Sequence, residues 1–286
     1  MIDADTLAAL LAMPAVQRAA LGLFLGAVGL PLVGVVIVGL DIMPVRFAMM
    51  HVALLGIAVG LLTGADPTLC ALVACACAGA AVSPLADRPG GLSGGMGLLM
   101  SLAMAAALLL IAVSGTNAAS AFALLWGSIL SVRTVDLVIL GCLAVLVPGL
   151  LVRFRRQLAL LLHDRELALV SGVRVRWFTL VLLVIVAVAV AGAIRLTGAL
   201  LVDALTILPA LAARRLGSSL TSIAAWAVVC GLVSTAVGFA LALLLDLPPG
   251  PVLVLTAGLL AVAAHLLPER THRAWHRTPH SSDPSS

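Results

Sequence analysis

Lysine is absent from all 286 residues, and every one of the 16 basic side chains is arginine. A phosphate-binding P-loop needs a lysine to reach the nucleotide's phosphates, so this chain is no P-loop ATPase. Any ATP hydrolysis coupled to it must come from a partner. Charge of either sign is scarce: 10% of residues are charged and 63% hydrophobic, against roughly 25% and 45–50% in a soluble domain. The net charge of +4 is too small, and too confined to short polar patches, for nucleic-acid binding. The His-Glu-x-x-His pair of a zinc protease is missing, as is any signature of an intramembrane Ser–His dyad. Cysteine is sparse: Cys70, Cys75, Cys77, Cys142 and Cys230 all fall in apolar stretches, where a thiol behaves as a small hydrophobe. Cys75 and Cys77 would point about 200° apart on a helix, so packing is favoured over a metal or disulfide role. Met1–Leu10 carries Asp3 and Asp5 and no basic residue, unlike a cleavable signal.

Apolar sequence fills the chain instead. A membrane-spanning helix needs about 20 mostly apolar residues, and such runs recur at 19–40, 47–64, 68–84, 95–114, 135–152, 178–194, 198–213, 220–245 and 251–267. The third is short and Pro44 to His51 reads as irregular, so eight or nine spans are expected. The expected fold class is all-α, a polytopic transmembrane helical bundle. Strands of an outer-membrane barrel would alternate apolar and polar residues over about ten positions; Phe178–Ile194 has no such alternation, which excludes a barrel. The 26 glycines suit membrane helices, which associate through close packing of small residues.

Arginine placement orients the bundle, because cytoplasmic loops carry the positive excess. The longest polar connection holds Arg153, Arg155, Arg156, Arg165, Arg174 and Arg176. Alternating outward from it, Arg88, Arg214, Arg215, Arg270, Arg273 and Arg277 fall on the same cytoplasmic side, against Arg133 and Arg195 on the other. Arg18 and Arg46 give opposing hints about the N-terminus. A transmembrane domain is therefore expected over 1–268, interrupted by a cytoplasmic segment at 153–177, with a disordered polar tail at 269–286. His272, His276 and His280 in that tail are spaced for one helical face, but Pro279 interrupts it, and a solubilising role stands ahead of metal sensing.

Two ionisable residues lie inside apolar runs, where a charge costs about 2.5–3.5 kcal/mol on insertion scales and marks a functional site by default. His51 follows Met49 and Met50 and precedes Val52-Ala53-Leu54-Leu55; it is either a ligand on an ion path or a neutral imidazole hydrogen-bonded in the bundle. Asp203 sits about six positions into an otherwise uncharged segment and needs a cation, a proton or a partner. The alternative is a carboxylate that caps a broken helix or bonds Thr197 or Thr206. Asp41, Asp66, Asp136 and Asp246 lie near predicted membrane boundaries and read as solvated helix ends.

Four stretches carry a resemblance: Gly127-Ser128-Ile129-Leu130 with Asp136 after it; Asp164-Arg165-Glu166-Leu167-Ala168 with Gly172-Val173; Gly198 to Leu205 running to Ile207-Leu208-Pro209-Ala210; and Asp246-Leu247-Pro248-Pro249-Gly250. In this order and spacing they resemble the permease subunits of bacterial zinc and manganese ABC importers, the ABC-3 family. The resemblance implies a homodimer in the bacterial inner membrane, among lipid, with two cytoplasmic ATPase subunits that bind the ATP and an extracytoplasmic metal-binding protein that delivers the ion. It implies no nucleic-acid partner, no permanently bound cofactor and a divalent cargo, zinc first and manganese next. The chain would be a transport subunit, not an enzyme. Leu158–Val175 resembles the segment that couples to the ATPase: Leu158, Leu161 and Leu162 offer an apolar face, and His163, Asp164, Arg165 and Glu166, with Gly172 beyond them, supply polar contacts. The alternative is an amphipathic connector at the headgroups. Asp66 and Asp246, with Arg133 and Arg195, are candidates for contacting the binding protein.

The family's second span reads Gly-Asp-Ala-x-Ser-His, a carboxylate and an imidazole suited to a divalent ion. Here Arg46-Phe47-Ala48-Met49-Met50-His51 keeps the histidine and puts Phe47 at the Asp position and Met50 at the Ser position. Asp203 is the expected replacement for the lost carboxylate, beside His51. Thr197 and Thr206 could add hydroxyls, and Met43, Met49 and Met50 thioethers, which would favour Cu(I) over zinc; packing is the ordinary role of such methionines. Two other readings remain: a permease for a chelated metal or other small solute, and a proton-coupled secondary transporter using Asp203 and His51.

Overall fold

The computed structural model describes residues 12–87, 91–115, 132–163 and 165–266, without the side chains of residues 87, 91–93, 163, 165, 195–197, 199, 200 and 203. Gly127–Leu130, Arg88, Asp164 and the tail histidines lie outside the described residues. All regular structure among those described is helical: α1 Pro14–Gly39, α2 Met43–Thr63, α3 Pro67–Val82 with a 3-10 turn Ser83–Asp87, α4 Gly91–Val113, α5 Thr134–Arg153, α6 Arg155–His163, α7 Arg165–Val170, α8 Val175–Leu216, α9 Leu220–Leu245 and α10 Pro249–Leu266. Eight of these segments are long and apolar enough to cross a membrane.

Proline starts several helices without cost. Pro14, Pro44 and Pro67 each occupy the first turn, where the missing N–H would have no intrahelical acceptor. For that reason Pro44–His51, expected to be irregular, is ordinary helix. Asp66 caps α3, its Oδ1 accepting from the Thr68 and Leu69 amides at 2.8 and 3.2 Å.

Contacts at the helix ends fix the threading. Val38, at the end of α1, accepts a hydrogen bond from Arg214 at 3.4 Å, and Gly39 faces Leu162 of α6. Phe154, just past α5, packs edge-on against Phe178 near the start of α8, with ring centroids 5.3 Å apart. These residues share one end of the bundle, the α6 end. At the opposite end Arg133 reaches Asp66 and Thr68, and partway toward it Gly192 of α8 faces Leu72 and Ile139. Helix α8 thus leaves the α6 end and returns to it by Arg214. Straight, its 42 residues would reach about 63 Å, twice a hydrocarbon core of about 30 Å. The reversal falls at Gly198, with φ 77° and ψ 158°, a region essentially reserved for glycine. The sixth and seventh expected spans are the two legs of this one broken helix.

Those legs form the hub, packing between them against α1, α2, α3, α5, α9 and α10. Ala19, Leu23, Ala27 and Ile37 of α1 are fully enclosed, and Gly34 lies so close to the second leg that a β-carbon there would overlap the Thr206 carbonyl oxygen. Backbone contact of this kind takes the place of hydrophobic drive between helices in lipid.

Candidate functional site

His51 is half-buried on α2, with its Nδ1 2.8 Å from the carbonyl oxygen of Phe47, one turn back. A carbonyl only accepts, so Nδ1 carries the proton and donates, leaving the Nε2 lone pair available to a ligand. This fixes both tautomer and ring direction, as the outer hydrogen bond of a metal-ligating histidine does. Phe47 is 45% exposed. The Arg46 guanidinium stacks over its ring at 4.4 Å, although Arg46 itself is only 4% exposed.

Asp203 lies on the second leg of α8, and its side chain is outside the described residues, as is that of Thr197. Backbone register still gives depth. His51 is eight residues, about 12 Å, above the α6 end of α2, and Asp203 eleven residues, about 16 Å, above Arg214. Both backbones therefore run at mid-membrane depth, on helices that pack together. Thr206 donates its one hydroxyl proton to the Val202 carbonyl, so it has none to give a carboxylate at 203. Among the described residues no three His, Cys, Asp or Glu side chains converge.

The α6–α7 segment departs from expectation in one respect. Leu158 and Leu161 are 0% and 4% exposed, and Leu162 packs on Gly39. The expected docking face of α6 is thus turned into the chain's own bundle, because a leucine stripe finds an apolar partner in cis before any other chain arrives. What projects from this end instead is Leu167, Val170, at 91% exposure, and Trp177. Leu167 and Val170, spaced i, i+3, lie within the expected 158–175 segment but were not singled out as its apolar face, and Trp177 lies just beyond it. Glu166 and Gly172 are exposed beside them; the side chains of His163 and Arg165, and all of Asp164, lie outside the described residues. Gly172, at φ 77°, ends α7: its N–H bonds the Leu169 carbonyl while the Val173 N–H bonds that of Ala168. This paired closure needs a left-handed residue at that position, and it presents Val170 outward at the last turn.

At the opposite end Asp66 is half-exposed and joined to Arg133, Nη1 to Oδ2 at 3.6 Å, while Arg133 Nη2 donates to Thr68 Oγ1 at 3.0 Å. Partial burial pushes the Asp66 carboxyl up, but the backbone N–H groups of Leu69 and Thr68 and the Arg133 guanidinium outweigh it and hold the group below its ordinary value. Asp246 is exposed at the end of α9 in a left-handed conformation, φ 53°. Asp136 corrects its expectation: only 2% exposed, it folds back so that Oδ2 accepts the Arg133 backbone N–H at 3.0 Å.

Residues 12–267 match the model of the ABC 3 transport family. A Thermotoga maritima protein named "Probable metal transport system membrane protein" is 30% identical over 72% of this chain and 73% of its own length. The "High-affinity zinc uptake system membrane protein ZnuB" of Haemophilus influenzae is 29% identical over 51% of this chain and 56% of its own. Among solved structures, "PsaBC from Streptococcus pneumoniae in complex with Fab" contains a chain that matches with a TM-score of 0.79 at 22% identity, covering 94% of this chain and 98% of that one.

Proposed function

Because this chain belongs to the ABC 3 transport family, we propose that it is the permease through which zinc, and next manganese, passes across the bacterial inner membrane toward the cytoplasm. The coarser statement stands on the family and the helices: this is a multi-pass membrane permease of the metal-importing ABC class. The observation that carries the finer reading is His51, at mid-depth on α2 with one nitrogen held by the Phe47 carbonyl and the other open to an ion. Borderline-soft zinc accepts imidazole readily. Asp203, at a similar depth on the second leg of α8, supplies the charge that Phe47 lacks; a divalent ion crossing an apolar bundle with no carboxylate would pay its full desolvation cost.

The α6–α7 end faces the cytoplasm, as the arginine bias requires, and takes the ATPase subunits on Leu167, Val170 and Glu166, with His163, Asp164, Arg165 and Gly172 as further candidate contacts. Asp66 and Asp246 face the metal-binding protein on the other side. A second copy of the chain completes the pathway. The chain itself holds no P-loop, so the energy comes from those ATPase partners and the chain performs no chemical reaction.

The test is ATP-dependent uptake of radioactive zinc into vesicles holding the chain with its ATPase and binding protein. His51→Ala and Asp203→Asn should each abolish uptake while leaving assembly intact. Uptake that survives both would leave a transporter but remove this pair from the path. An assembled, ATP-hydrolysing complex that moves neither zinc nor manganese would shift the cargo to a chelated metal.

A further inference from the structure

The α2–α4 groove is lined by Met43, Pro44, Phe47, Met96, Gly97 and Met100, around a cavity of about 430 Å³. The two helices run parallel in a fixed register. Met43 lies with Met96 and Phe47 with Met100 in the groove, and Leu54 and Ala58 pack in one cluster with Ala107 and Ile111. Each pairing is offset by the same 53 positions, which brings Met104 level with His51.

Methionine in a core is ordinarily filler, and filler leaves no space. Here three methionine side chains line open volume instead of filling it. Met96 is almost wholly enclosed and Met100 is 38% exposed at the rim, so the groove has a floor and an entrance. No carboxylate and no lysine or arginine lines it. A dication would therefore meet neither its charge nor its preferred donors, whereas thioether sulfur suits a soft monovalent ion such as Cu(I) or Ag(I).

We infer that this groove is a binding site for a soft monovalent metal ion, held by the thioethers of Met43, Met96 and Met100 and distinct from the His51 position one turn beyond. It does not depend on zinc being the cargo.

Full-length protein grown on selenomethionine and placed in nanodiscs under reducing conditions is titrated with Cu(I), and the bound metal is read by X-ray absorption. Thioether donors then scatter as selenium and the five cysteines as sulfur, so the two cannot be confused. The expected result is one bound ion with selenium neighbours, and an affinity about tenfold or more weaker in Met43→Leu/Met96→Leu/Met100→Leu; leucine is close in volume, so the groove keeps its shape. Copper bound only by sulfur or nitrogen, no bound copper, or binding unchanged in the triple variant would each overturn the site. Should the triple variant not fold, Met100→Leu alone, at the exposed rim, must lower the number of selenium neighbours, and an unchanged number would overturn the site.

Discussion

His51, Phe47 and Arg46 lie within about a turn and a half of α2, and in the pathway proposed above they would divide the work. Phe47 contributes its carbonyl, which orients the imidazole, while its ring takes the place where a carboxylate would stand in the family pattern. Sequence was sufficient to single out His51, because an imidazole in an apolar run has few inexpensive explanations. It could not reveal which nitrogen is free, since that depends on a backbone oxygen four residues away. Asp136 failed for a similar reason. Position near a helix start suggested solvent, yet the side chain turns back onto its own helix start and is only 2% exposed. At Asp66 the guanidinium of Arg133 favours the ionised form. A carboxyl held below its ordinary value stabilises the fold above the ordinary aspartate range and loses that contribution as pH falls through the lowered value. In Arg133→Gln the Asp66 midpoint should therefore rise toward the ordinary value, as read by carbon-13 NMR of labelled aspartate. An unmoved midpoint would mean that the backbone amides alone set it.

Among the elements, α8 and the α6–α7 pair differ most from a simple row of spans. The sequence announced apolar runs at 178–194 and 198–213 but gave no sign that one helix serves both, because Gly198 looks like any membrane glycine until its backbone angles are known. Alanine there would have to adopt a conformation costing about 1–3 kcal/mol. Gly198→Ala should lower the melting temperature in nanodiscs, and thermal shift close to that of the unsubstituted chain would contradict a reversal at this residue. Gly34→Ala acts on the same helix from the opposite side. Its added methyl meets a backbone carbonyl that cannot rotate away, so the loss should meet or exceed the roughly 1–3 kcal/mol typical of overpacking. Val170 gives the converse case. It is almost fully exposed, so Val170→Asp should leave the melting temperature nearly unchanged, yet reduce co-purification of the ATPase severalfold. A full yield of complex would remove Val170 from the docking surface. The leucines of α6, expected to form the docking face, are used within the chain.

At the scale of the molecule, the two ends of the bundle have opposite characters. One carries α6, α7, Val170, Trp177 and the arginines 214 and 215; the other carries the Asp66–Arg133–Thr68 junction and Asp246. The class of fold was plain from composition, since no soluble core needs 63% apolar residues. Arginine placement predicts that Arg153, Arg214 and Arg215 share one side, and the threading gathers them at one end. What composition could not supply is the crossing of helices through α8, because in lipid every outward face reads much like an inward one. In the function proposed above, the bundle would be an inward pump, with ATP consumed at the α6–α7 end and metal entering at the Asp66 end. The most direct test reconstitutes the complete assembly in sealed vesicles, supplies ATP only on the α6–α7 side and follows radioactive zinc and manganese. Metal should accumulate on the ATP side and only with ATP present. Movement in the opposite direction, or equal uptake without ATP, would contradict the account at its centre.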